Sequence, residues 1–234
     1  MENKIILELP NQTEEYIDSV DFIAIQGTQN TVRVKAESVE NFKALTGLNI
    51  KIFGNNNTIN LSKIIYPKGA TGGLPGLELD IGLPADDTLI PGTPRDANNC
   101  YVEIGENTII CGAMLLLANN DTSIKIGKNC LISWGIDIWC TDAHTVTDLE
   151  GYPINFSKSI EIGDHVWIGR DVKIGKNTKI SNDSIIGWGS VVTKKFEETN
   201  VVIAGNPAKI VKRNINWDFR DLYNYELYRK SQNK

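Results

Sequence analysis

The sequence predicts an all-β chain wound as a parallel β-helix, and three patterns carry that prediction. From Ile162 the chain reads IGDHVW, IGRDVK, IGKNTK, ISNDSI and IGWGSV, with an apolar residue at 162, 168, 174, 180, 186 and 192. The same six-residue spacing recurs upstream in other registers, at Ile104, Ile110 and Leu116 and again at Ile126, Ile132 and Ile138. Nearer the N-terminus, GTQNTVRV at 27–34 and GNNNTINL at 54–61 share the pattern G-x-x-N-T-[VI]-x-[VL], 27 residues apart. An amphipathic helix needs a period of about 3.6 and a half-buried strand a period of about two. A strict period of six fits neither. It fits a chain that turns a corner every hexad, and a short fixed repeat of this kind marks a parallel β-helix.

The elements follow in order. Residues 1–65 read as strand-rich, because Gly and Asn tolerate left-handed corners and the β-branched residues after them suit strands. They form either irregular coils of the same solenoid or a separate cap. Within them, VKAESVENFKALTG is a candidate short helix capped by Ser38. Residues 66–100 read as a loop segment, since 66–96 hold five of the eight prolines and six of the twenty glycines. Residues 101–208 form the β-helix proper, with two breaks in the period. The step from Ile104 to Ile126 is 22, three hexads plus four residues, which places a bulge near 118–122. The step from Ile138 to Ile162 is 24, one hexad plus 18 residues, which places an excursion over about 141–159. A long loop in a compact domain is usually functional. Residues 209–234 read as a basic tail with a helix at 217–230, packed on the solenoid or on a neighbouring subunit; the last 34 residues carry a net charge of +4.

The bulk composition narrows the function. The chain has 234 residues, 41% hydrophobic and 23% charged, with a net charge of −5. That balance argues against nucleic acid as the main partner. No apolar run reaches membrane-spanning length, and the acidic start MENKIILELPNQTEEY does not read as a signal peptide, so a cytoplasmic location is expected. Cys100, Cys111, Cys130 and Cys140 form no metal-ligand spacing. Cys130 falls on the small fifth position of a hexad and reads as a buried structural thiol.

Residues 101–213 resemble the hexapeptide-repeat acyltransferases. The resemblance rests on VWIG at 166–169, IGWGSVVTK at 186–194, AGNPAKIVK at 204–212 and IWCTDAHTV at 138–146. The last is similar to the histidine-bearing segment of the maltose- and galactoside-type sugar O-acetyltransferases. The resemblance implies a left-handed β-helix and direct acetyl transfer from acetyl-CoA to a hydroxyl or amine, with no metal required. It also implies a homotrimer with active sites in the clefts between subunits.

A hydroxyl attacks a thioester only when a base takes its proton, and histidine, with an ordinary pKa of about 6.5, suits that work. Of two histidines, His144 lies in the excursion and is the expected base, while His165, on an outward hexad position, reads as a solvated edge residue. Asp142 is the nearest carboxylate able to orient it, with Asp148 and Glu150 in the same loop. Cys140, four residues away, raises a weaker Cys–His nucleophile reading. The resemblance places Trp167 at the acceptor site. At the donor end, Gly187, Gly189 and Ser190 would let a pantetheine arm approach the backbone, and Thr193 and Lys194 would lie near the nucleotide. Lys209, Lys212 and Arg213 would supply charge for phosphates. Trp188 departs from the family pattern, where a small residue is usual, and would narrow the channel or stack on the cofactor.

The main reading is a sugar O-acetyltransferase acting on a capsular or other cell-surface polysaccharide or a lipooligosaccharide. The alternative is an N-acetyltransferase of amino-sugar nucleotides. A γ-type carbonic anhydrase needs three zinc-binding histidines, and the chain has two. A non-enzymatic solenoid scaffold would require neither the histidine excursion nor the CoA-end signature.

Overall fold

Stacking of the inward apolar positions builds a three-faced prism. The computed structural model describes residues 2–62, 76–84 and 95–232. Among the described residues three sheets line the prism, of nine, seven and six strands, and of these strands only Glu14–Ile17 and Ala208–Arg213, at sheet ends, pair antiparallel. From Tyr101 to Gly205 the chain visits the faces in strict rotation: first face, third face, second face. On the first face Ile104, Ile126, Ile162, Ile180 and Phe196 lie in register. On the third, Ile110, Ile132, Ile168, Ile186 and Ile203 do so. All ten are buried, and each such side chain contributes roughly 1.5–3 kcal/mol on leaving water.

The second face corrects one hexad. Leu115, not Leu116, pairs with Ile138, which pairs with Ile174, and Ile174 in turn with Val192. The corner at Cys111–Gly112 is one residue shorter than its counterpart in the next coil, and a one-residue slip moves a strand side chain to the other face. Leu116 instead lies on the outer side of the sheet between Asp80 and Trp139.

Residues before 100 continue the same sheets. Thr31, Val32 and Val34 pair with Thr58, Ile59 and Leu61, so the 27-residue repeat is one coil. Among the described residues here the strands fall on the first and second faces, and the first described strand of the third face is Ile109–Ile110. A helix, Val39–Lys43, occupies one crossing; Ser38 accepts a hydrogen bond from Asn41 N at 3.1 Å, and Phe42 is fully buried against Phe22. Gly54, at φ +136°, is forced, because a Cβ there would lie 2.1 Å from the Ala97 carbonyl oxygen.

Two segments differ from expectation. The Gly/Pro-rich stretch contains a strand, Leu77–Ile81, paired in parallel on both sides; its alternating apolar residues outweigh the loop-like composition around them. The rest of that expectation, at 66–75 and 85–94, lies outside the described residues. The basic tail opens with a strand, Ala208–Arg213, which folds back on Val201–Gly205. The helix Leu222–Gln232 follows and buries none of its residues.

Candidate active site

The excursion leaves the second face after Ile136–Trp139 and rejoins the first at Ile160–Ile162. Its first turn is tight. Thr141 Oγ1 accepts from Ala143 N at 3.0 Å and donates to Asn119 Oδ1 at 3.0 Å, and Ala143 adopts φ +62°. His144 N donates to Asp142 O at 2.7 Å. Asn155 then clamps the far strand of the loop to the near one. Its Nδ2 donates to Asp142 Oδ2 and to the His144 carbonyl, each at 2.8 Å, and its Oδ1 accepts from Val146 N at 2.8 Å. Lys176, from the next coil, donates to Asp142 Oδ2 and, at 2.6 Å, to the Asn155 carbonyl. The exposed His144 side chain lines a cavity of about 460 Å³ with Asn119, Asn120, Thr141 and Phe156.

This arrangement corrects the expectation for Asp142. Its carboxylate is held by Lys176 and Asn155, which keep it below the usual carboxylate range. Among the described residues no hydrogen bond reaches the His144 ring from it or from any other group. Asp142 therefore fastens the loop that carries His144. Lys176 and Asn155 carry no sequence signal of their own, since they lie 34 and 13 residues from Asp142 and meet it only through the stacking of coils and the return of the loop.

Trp167 lies on a different face. It is 38% exposed on the third sheet, 6.0 Å from the Trp217 ring, and does not line the His144 cavity. The residues expected at the donor end begin at the corner between the third and second faces. Trp188 is 71% exposed, its indole N–H donating to Asp171 at 3.1 Å beneath the Arg170 guanidinium. Gly187 and Gly189 flank it. Gly187 packs so closely that a Cβ would lie 2.9 Å from Ala204 Cβ, while Gly189 takes φ +67° with open space beside it. Ser190 is a correction. It is fully buried, donating to the Gly187 carbonyl at 2.6 Å and accepting from Gly205 N at 3.1 Å, so it shapes the corner and offers nothing to a ligand.

Thr193, Lys194, Lys209 and Lys212 are exposed, with Lys194 5.2 Å from the Phe196 ring. Arg213 pairs with Glu198 at 2.8 Å, which spends part of its charge within the chain.

Cys140 is fully buried, and burial pushes its thiol up to about 12, so it holds its proton and is no nucleophile. Cys130 is likewise buried, at about 11. His165 is not a solvated edge residue. Trp217 stacks on it at 4.3 Å, and Asp183 lies 2.9 Å from its Nδ1. Among the described residues no three His, Cys, Asp or Glu side chains cluster as a metal site, and no helix is long and apolar enough to cross a membrane.

No family model matches the chain. A polysialic acid O-acetyltransferase of Neisseria meningitidis is 35% identical over 205 residues, covering 87% of this chain and 92% of the relative. The chain belongs to the hexapeptide-repeat acyltransferases. Its prism is that family's left-handed parallel β-helix. The solved polysialic acid O-acetyltransferase OatWY superimposes with a TM-score of 0.62 at 25% identity, covering 98% of both chains. The polySia-specific acetyltransferase NeuO does so at 0.61 and 26%, over 94% of this chain and 80% of its own. The N-terminal coils, which carry no hexads, thus belong to the acyltransferase fold as fully as the hexads do.

Proposed function

We propose that this acyltransferase moves an acetyl group from acetyl-CoA to a hydroxyl of an acidic cell-surface polysaccharide, with His144 as general base. The observation that carries the reading is the placement of His144, clamped on the excursion loop at the wall of an open cavity. When bound, the thioester supplies an activated acyl carbon and a good leaving group. The chain's part is to hold the acceptor hydroxyl against His144, which takes its proton as the new C–O bond forms. That proton is then available to the departing thiolate. The polymer acceptor is supported by the relatives that act on polysialic acid.

The site is completed in a homotrimer. Within one chain His144 stands at one corner of the prism, while Trp167 and the Trp188 corner stand on others. The excursion also exposes Val146, Leu149, Tyr152, Ile154 and Phe156, each at least 51%, an apolar arm suited to a neighbouring subunit. In the trimer His144 of one subunit faces Trp167 and the donor end of the next.

Replacing His144 with Ala should lower kcat by about 10²–10⁴-fold and leave the melting temperature unchanged, because the side chain is exposed. Turnover near wild type would overturn the base assignment. Mixing refolded His144→Ala and Trp167→Ala subunits should restore activity if the site is shared, and a mixture that stays inactive refutes the shared site.

A further inference from the structure

An asparagine ladder climbs the corner that leads to the His144 cavity, and each rung makes the same two-donor contact. Thr28 N and Oγ1 both donate to Asn55 Oδ1, at 2.9 and 3.0 Å. Asn55 N and Nδ2 both donate to Asn98 Oδ1, at 2.8 and 3.1 Å. Asn98 N and Nδ2 repeat the contact on Asn120 Oδ1, again at 2.8 and 3.1 Å. At Asn120 the ladder stops. The next coil pairs with this one only from Ile124 and Ile160 onward, and the returning loop brings Phe156, which has no side-chain oxygen, to the cavity beside Asn120. Among the described residues nothing accepts from Asn120 N or Nδ2. Asn120 and Phe156 both line the cavity that holds His144.

Resting on the reading of that cavity as the acceptor site, we propose that Asn120 N–H and Nδ2 bind the carbonyl oxygen of an acetamido group on the acceptor sugar. The acetamido group takes the place of the next asparagine. Every rung below holds an oxygen, and every rung oxygen is a side-chain amide carbonyl, the same chemical group as an acetamido carbonyl. The geometry is preset, since Asn120 Oδ1 is fixed from below by two donors and the neighbouring Asn119 Oδ1 is fixed by Thr141 and Ser157. Phe156, 67% exposed, offers an apolar surface to the acetamido methyl. Asn120 is thus a specificity-determining residue that selects N-acetylated sugars and sets which hydroxyl meets His144.

The test uses polysialic acid oligomers, intact and chemically de-N-acetylated, with CoA release as readout. The wild-type KM for the intact acceptor should be about tenfold below that for the de-N-acetylated one. Asn120→Asp keeps an oxygen for Asn98 but sets a carboxylate oxygen against the carbonyl. It should raise the KM for the intact acceptor about tenfold, leaving the KM for acetyl-CoA unchanged and that for the de-N-acetylated acceptor, whose ammonium a carboxylate attracts, no higher than in the wild type. Equal use of both acceptors by the wild type overturns the proposal without any variant. Equal impairment of both acceptors in Asn120→Asp overturns it as well, assigning the residue to the fold. The two readings fail separately: an active His144→Ala removes the base, whereas an inactive His144→Ala beside an unaffected Asn120→Asp removes only the acetamido site.

Discussion

Asn155→Ala separates the loop from the coil that carries it. The side chain makes three hydrogen bonds of 2.8 Å, to Asp142, to the His144 carbonyl and from Val146 N. At about 0.5–1.5 kcal/mol each, their loss weakens the closed loop by roughly 1.5–4.5 kcal/mol. That energy acts locally. The loop lies outside the buried core, where the continuous ladders of Ile and Leu set global stability, so the melting temperature should hardly move. His144, the proposed base, is then no longer fixed, and a misplacement of the order of an ångström can cost about 10²-fold in rate. Amide hydrogen exchange over 141–158 should quicken by at least tenfold, and kcat should fall by about 10–100-fold. Unchanged exchange together with a lower kcat would refute the reasoning, because Asn155 would then act on the substrate directly. Faster exchange with unchanged kcat would refute it too, since the position of His144 would not matter.

Two further outcomes follow. Lys176 and Asn155 depress the Asp142 pKa, so the clamp contributes fully above the ordinary carboxylate value of about 3.9. It is lost as the pH falls through the lower folded value. Exchange protection of the loop should therefore vanish in acid before that of the coils, and Asp142→Asn should remove this pH dependence; a loop that melts with the coils in both proteins contradicts the assignment. Gly54→Ala should destabilise the whole chain by about 1–3 kcal/mol or more through backbone strain, because its Cβ would press on the Ala97 carbonyl. Gly189→Ala, with open space beside it, should cost only about 1–2 kcal/mol, and similar melting temperatures for the two variants would contradict the packing described.

The strand ladders of 162–192 are legible because each face of a coil takes six residues and three such hexads close it, so one periodicity encodes both corner and core. Where a corner shortens, as at Cys111–Gly112, the period alone misplaces the next inward residue, and only register with Ile138 identifies Leu115. The N-terminal coils are harder to read, because their described strands use two faces and are joined by connections of unequal length. Leu77–Ile81 was hidden by composition, since a strand held by neighbours on both sides needs little local propensity.

The sequence by itself determined the β-helix, its interruption, the candidate base within the interruption and the acyltransferase resemblance. These are properties of residues near one another in the chain. What surrounds His144 follows from the tertiary structure. Asp142 faces Lys176 rather than the imidazole, Ser190 is sealed inside its corner, and Asn120 ends a ladder whose rungs lie 22 to 43 residues apart. A solenoid sets remote segments one coil apart by backbone pairing alone, and coil lengths vary with every bulge and loop. Neighbours across coils therefore follow from register, which the pattern of residue types does not spell out.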